Sequence, residues 1–250
     1  MGQVIATAGK GGTGKTTIAS LVVDYLVRSK QGSVLALDAD PNANLHQALG
    51  IELKETVVGI LDKTAALAGA LPAGMTKDRY IEYEIQNALS EGAGFDLLAM
   101  GQPEGPGCYC YANNVLRGVI EKLSRSYDFT VIDNEAGMEH LSRRTARKID
   151  SFIVVSDFSV VGVRSAARIY RLAGEMDLKI GKACLVLNMA AGAPDGLLSQ
   201  ALAETGLEVG ATIPFDSEIE RLSIAGEPVT VADVSSAARK ALEELGCRLK

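Results

Sequence analysis

Short apolar runs alternate with stretches of helical periodicity along most of the chain. The runs fall at Val4–Ala8, Ser33–Leu37, Asp96–Met100, Phe129–Asp133, Phe152–Ser156, Ala183–Asn188 and Val209–Ile213. Each predicts a strand with both faces covered, because near-continuous apolar runs, not strict alternation, suit a sheet sandwiched between helices. Between them Ile18, Leu21, Val22, Tyr25 and Leu26 recur at helical spacing, and Val115–Ser124, Arg164–Glu175 and Asp233–Leu245 are further helical segments. Strand–helix alternation of this kind predicts an α/β fold: a mostly parallel sheet of about seven strands with helices on both faces, in one domain over residues 1–250. Only residues 55–95, rich in alanine and polar side chains, break the rhythm, and they are read as an inserted helical excursion. No internal repeat or low-complexity linker interrupts the pattern.

Composition narrows the setting. A chain of 250 residues fits one α/β domain, and 47% hydrophobic residues is ample for a two-sided core. The net charge of −6, from 25 basic and 31 acidic residues with no basic run, argues against nonspecific nucleic-acid binding. No signal-like segment precedes the first strand, and no apolar run approaches the ~20 residues of a membrane span. Residues 238–250 form an ordinary amphipathic helix without the aromatic, lysine-rich face of a membrane-surface anchor. The expectation is a cytoplasmic protein with no nucleic-acid or membrane partner, whose four cysteines are reduced thiols.

The chemistry is concentrated first in residues 9–17, Gly-Lys-Gly-Gly-Thr-Gly-Lys-Thr-Thr. They fit G-x-x-x-x-G-K-[ST], with Gly9, Gly14, Lys15 and Thr16 at the defining positions, between a strand and a helix. In such a P-loop the backbone N–H groups of Lys10, Gly11, Gly12, Thr13, Gly14 and the residues up to Thr17 cradle a polyphosphate. The helix N-terminus adds positive potential. Lys15 would reach the terminal phosphates, and the Thr16 hydroxyl would enter the shell of a magnesium ion. The expected fold is therefore that of a P-loop NTPase. Ligands of a parallel sheet bind outside the carboxyl ends of its strands, so Asp38 and Asp40, at the end of the second strand, project toward this loop. Phe129–Asp133 ends in a carboxylate, which describes a Walker B element holding magnesium through Asp133. Ala136-Gly137 after it allows a backbone amide close to the γ-phosphate. Asn188 ends a strand with an amide able to pair with both polar atoms of an adenine edge.

Cysteine is usually a small buried hydrophobe, which suits Cys184 inside its strand. Cys108 and Cys110 differ. They lie in Gly-Pro-Gly-Cys-Tyr-Cys-Tyr, just before a helical segment, a setting that favours thiolates. One C-x-C supplies two soft ligands, and two copies facing across a dimer axis supply four.

The P-loop with its second lysine, Lys10, resembles the deviant Walker A signature of the family holding the nitrogenase iron protein and the septum-site (MinD) and chromosome-partitioning (ParA) ATPases. There the extra lysine reaches the nucleotide of the other subunit, so the resemblance implies an ATP-dependent homodimer in which Lys10 and Lys15 are catalytic. By the same resemblance Asp40 is the switch I aspartate that positions the attacking water beside magnesium, and Asp38 stands behind the magnesium shell. Pro214, Phe215 and Asp216 occupy the stretch where this family packs adenine. Asn44 departs from the nitrogenase iron protein, which has another aspartate there. Lys10, Cys108-Tyr109-Cys110 and the run from Ala136 through His140 to Arg143 together resemble the CooC-type nickel-insertion ATPases, which mature carbon monoxide dehydrogenase and acetyl-CoA synthase. That implies a metallochaperone binding nickel, or zinc, between paired Cys108 and Cys110, with His140 a structural or interface residue. The alternative is a MinD- or ParA-like positioning ATPase without a metal role. A reductase like the nitrogenase iron protein fits less well, since its cluster cysteines are far apart in sequence.

Overall fold

A computed structural model describes residues 2–67, 71–102, 118, 121–135, 148–176 and 178–249. Among the described residues, eight strands form one sheet in the order β3-β4-β2-β5-β1-β6-β7-β8. They are β1 (Gln3–Gly9), β2 (Val34–Asp38), β3 (Ser90–Glu91), β4 (Phe95–Ala99), β5 (Phe129–Asp133), β6 (Lys148–Asp157), β7 (Lys179–Ala190) and β8 (Glu208–Pro214). All neighbours pair in parallel except β3, which turns back antiparallel on β4. The sheet thus carries one strand beyond the expected seven. The extra one is a two-residue edge strand with no apolar pattern of its own.

The described helices are α1 (Lys15–Arg28), α2 (Leu45–Leu49), α3 (Val57–Ala66), α4 (Lys77–Ala88), α5 (Val160–Glu175), α6 (Gly196–Ala203), α7 (Ser217–Ala225) and α8 (Ser236–Arg248). Residues 55–95 thus hold α3, α4 and β3. Two hydrophobic clusters occupy the two faces of the sheet. One gathers Val4, Leu35, Ile60, Ile85, Ile132, Phe152 and Val163, largely under α3, α4 and α5. The other gathers Ile5, Ile18, Val22, Val131, Ile153, Ile213 and Leu245, under α1 and α8. Burial on both faces explains why the strands read as apolar runs.

Two helix starts are set by side-chain caps rather than by periodicity. Ser159 accepts from the Gly162 amide and starts α5 four residues before the Arg164 expected from spacing. Ser235 accepts from the Ala238 amide and starts α8 after, not at, Asp233. Central β1 lies between β5 and β6, while α1 leads away to β2 beyond β5. The P-loop therefore stands at the point where strand connections diverge, the crevice in which open α/β sheets bind ligands.

Candidate functional site

The loop between β1 and α1 is shaped by two left-handed glycines, Gly12 at φ 79° and Gly14 at φ 87°. Gly14 caps α1, and a Cβ there would lie 2.3 Å from Nδ2 of Asn188, so glycine is required by both backbone and space. Gly9 is equally confined, since a Cβ would fall 2.4 Å from the Val155 carbonyl of β6. Thr13 is buried, and its Oγ1 donates to the Lys10 carbonyl at 2.9 Å. Lys15 is only 8% exposed and folds back so that Nζ donates to the same carbonyl at 3.3 Å. Lys10, Gly11 and Gly12 are exposed at the tip, and Thr16 and Thr17 lie partly buried in the first turn of α1.

The carboxylates come from neighbouring strand ends. Asp133 of β5 stands in register with Asp38 of β2 on one side and with Thr7 of β1 on the other. Thr16 donates to Oδ2 of Asp133 at 2.6 Å, and Thr7 donates to Oδ1 at 3.1 Å. Burial pushes the Asp133 carboxyl up to about 6, against the pull of these hydroxyls and of the Lys15 charge. Asp38 is also buried, and burial together with the facing Asp133 charge pushes it up to about 8. Its Oδ2 accepts from the Leu45 amide at 2.8 Å and its Oδ1 from the Asp40 amide at 3.1 Å, so one carboxylate pins both ends of the loop that follows β2. Asp40 itself is partly exposed, and its Oδ1 accepts from the backbone and side-chain amides of Asn42 at 2.9 Å. The hydroxyl of Thr16 and the carboxylates of Asp133 and Asp40 are hard oxygen donors of the kind magnesium takes, and Thr16 and Asp133 already converge.

The remaining predicted residues are placed less uniformly. Asn188 reaches across from β7 and donates Nδ2 to the Thr13 carbonyl at 3.0 Å, bracing the P-loop. Pro214 ends β8, Phe215 after it is 49% exposed, and the Phe215 amide donates to the Ala190 carbonyl at 3.0 Å. Asp216 caps α7, accepting from the Glu218 and Ile219 amides, and its other oxygen accepts from the Ser235 amide at 2.8 Å. Although burial opposes it, these amides hold the Asp216 carboxyl below its usual value. Gly137, Cys108, Cys110 and His140 lie outside the described residues. Among the described residues no cluster of His, Cys, Asp and Glu is arranged to hold a metal ion, and no helix is long and apolar enough to cross a membrane.

Sequence reasoning missed Thr7 and Asn134. Thr7 is fully buried and holds the Asp133 carboxylate, while Asn134 donates Nδ2 to the Thr7 carbonyl at 2.8 Å. A polar residue in the middle of Val-Ile-Ala-Thr-Ala was the available signal, since a strand covered on both faces tolerates a hydroxyl only with a partner.

Residues 4–229 match the family described as the CobQ/CobB/MinD/ParA nucleotide binding domain. An uncharacterized ATP-binding protein of Methanocaldococcus jannaschii is 40% identical, over 97% of this chain and 96% of the relative. The carbon monoxide dehydrogenase accessory protein CooC of Rhodospirillum rubrum is 31% identical, over 94% of this chain and 91% of its own. Among solved structures, the septum site-determining protein MinD of Pyrococcus horikoshii in complex with Mg-ADP is similar in fold. It superposes with a TM-score of 0.70 at 21% identity, covering 100% of this chain and 96% of that one.

Proposed function

The chain belongs to the CobQ/CobB/MinD/ParA nucleotide-binding family and is an ATPase, and from that premise we propose that it is an ATP-driven metallochaperone. It works as a homodimer, carries nickel on paired Cys108 and Cys110, and delivers it to a nickel enzyme of the carbon monoxide dehydrogenase or acetyl-CoA synthase kind. The observation that carries the reading is the C-x-C pair on a chain 31% identical to a carbon monoxide dehydrogenase accessory protein. A septum-site protein shares the fold, so the fold alone does not choose between a metal carrier and a positioning ATPase. The C-x-C pair favours the carrier, since two soft ligands one residue apart suit metal binding and have no part in nucleotide hydrolysis.

Hydrolysis follows from the strand ends. The P-loop amides and Lys15 hold the β- and γ-phosphates, and Lys10 of the second copy adds charge where negative charge develops on the transferred phosphoryl group. Asp40, standing free of the sheet, orients the attacking water. Thr16, Asp133 and Asp40 would hold magnesium, which neutralises the phosphate oxygens. Asp38 fixes the Asp40 loop at both ends, so that the water-orienting group is held still before nucleotide arrives.

Lys10 provides the test. It is exposed and contributes its carbonyl, not its ammonium, to the resting loop, so Lys10→Ala should leave ATP binding by the monomer within about threefold. Turnover should fall by a factor on the order of 100 or more, as expected for a charge supplied in trans to phosphoryl transfer. Light scattering with a non-hydrolysable ATP analogue and phosphate release give the two readouts. Turnover at the wild-type rate would remove the contact between copies.

A further inference from the structure

The outer face of α5 carries a charge pattern that the helix itself does not need. Val163, Ala166, Ile169 and Ala173 are buried toward the sheet, and the opposite side presents Val161, Arg164, Arg168, Arg171 and Leu172. At 3.6 residues per turn those five fall within about 100° of arc, a single stripe facing solvent. Among the described residues none of the three guanidinium groups has an ion-pair or hydrogen-bond partner. The charges are also placed against the helix. Its first turn holds no acid and its last turn no base, and its one acid, Glu175, closes the C-terminal end, where the dipole favours a cation. Arg164 and Arg168 are four residues apart and Arg168 and Arg171 three, so like charges are neighbours on one face. Three unmatched cations on a chain of net charge −6 are thus kept at a cost to local stability, the mark of a position retained for function. Apolar side chains flank them. Val161 is 63% exposed, and Leu197 is 71% exposed at the matching second position of α6, which packs beside α5.

We infer that this face of α5, with the start of α6, is a docking surface for an acidic segment of a partner protein. The inference deepens the carrier reading and rests on it for the partner's identity, the nickel enzyme that receives the metal. Charge complementarity selects the occupant. Guanidinium forks accept carboxylates in pairs of parallel hydrogen bonds, which an ammonium cannot match. Arg164 and Arg171 are separated by about 10 Å along the helix axis. An acidic helix with carboxylates at i, i+4 and i+7 therefore meets all three arginines. Val161 and Leu197 add the dry contacts of a protein interface, which a bare polyanion leaves unused. A bilayer is served poorly, because the apolar side of α5 is already in the core and cannot enter lipid. Duplex DNA would find three cations, able to release counterions from about three phosphates, on a chain that is acidic as a whole.

Biolayer interferometry tests it, with four immobilised probes: nickel-free carbon monoxide dehydrogenase, a polyglutamate peptide, phosphatidylglycerol vesicles and duplex DNA. Wild type is compared with the triple variant Arg164→Ala, Arg168→Ala, Arg171→Ala. Wild type should bind the enzyme and, more weakly, the peptide, and both should weaken as salt rises from about 0.05 to about 0.5 M. The triple variant should lose roughly thirtyfold or more on both probes and most of the salt dependence. Its ATP hydrolysis without a partner should stay at the wild-type rate. Its melting temperature should be equal or higher, because the charges it loses repel one another and oppose the dipole. Should the triple variant fold poorly, Arg168→Glu alone makes the same comparison. Unchanged binding of both probes by the variants overturns the surface, as does wild type that binds neither. Vesicles or DNA held through the same arginines more tightly than enzyme and peptide overturn the acidic protein as occupant. Wild type that binds polyglutamate through these arginines but leaves the enzyme unbound keeps the surface and overturns the carrier reading instead.

Discussion

Lys15→Ala should lose Mg-ATP affinity by a factor on the order of 1000, the largest single effect expected in this chain. Lys15 is only 8% exposed, with the Lys10 carbonyl as the resting partner of its ammonium and the buried Asp133 carboxylate nearby. A triphosphate entering the loop replaces that carbonyl with its own charge, in a place water reaches poorly. Removing one partner of such a pair leaves the other charge buried and unmatched, which costs about 3–5 kcal/mol. A loss of about 4 kcal/mol is a factor of roughly 1000 in dissociation constant. Lys15→Arg should rescue little, because a planar fork does not fit the position of a compact ammonium. Isothermal titration with ATP gives the answer, with circular dichroism as the folding control. A dissociation constant within tenfold of wild type would show that the loop amides alone hold the phosphates.

The second large effect is on stability. The Asp38 carboxyl is pushed from 3.8 to about 8 by burial and by Asp133, so the folded protein keeps a proton that the unfolded chain releases above about pH 4. Stability is therefore undiminished below the unfolded value. It falls as pH rises through the window from 3.8 to about 8, and the full penalty is present above that. Asp133, raised to about 6, adds to the loss only in the lower half of the window. At ~1.4 kcal/mol per pH unit the ceiling for Asp38 is several kcal/mol, and entry of water lowers it. In nucleotide-free protein Asp38→Asn should abolish the downward slope of the melting temperature between pH 6 and 8. The variant should also be less stable at pH 4, where it has lost one acceptor for the Asp40 and Leu45 amides. A slope between pH 6 and 8 equal to that of wild type would mean that Asp38 is ionised throughout.

The local parts of this site were legible, and the juxtapositions were not. The P-loop could be read because its glycines, lysine and threonine are contiguous, and the strands because both-face burial writes itself as apolar runs. Ser90–Glu91 carries no such run; it is a strand only because Glu91 and Ser90 find Asp96 and Leu97 opposite after a tight turn. Asp38 and Asp133 are each visible as strand-end carboxylates. That they stand in register, so that the Asp133 charge raises Asp38, depends on β2 and β5 being neighbours, which no local pattern states. Asn188 was expected at the adenine edge from its amide chemistry. Its bond to Thr13 came from the approach of β7 to the loop, across 175 residues.

Metal stoichiometry measured against oligomeric state tests the central claim most directly. The protein is loaded anaerobically with nickel(II), with and without a non-hydrolysable ATP analogue, separated by size exclusion, and its metal counted by mass spectrometry. Two thiolates per chain and two chains would give one four-sulfur site, with soft ligands that suit nickel or zinc rather than magnesium. The account predicts one nickel per dimer, bound more weakly as pH falls because the thiols must deprotonate, and none in Cys108→Ser with Cys110→Ser. One metal per monomer, or unchanged binding in the double variant, would contradict it.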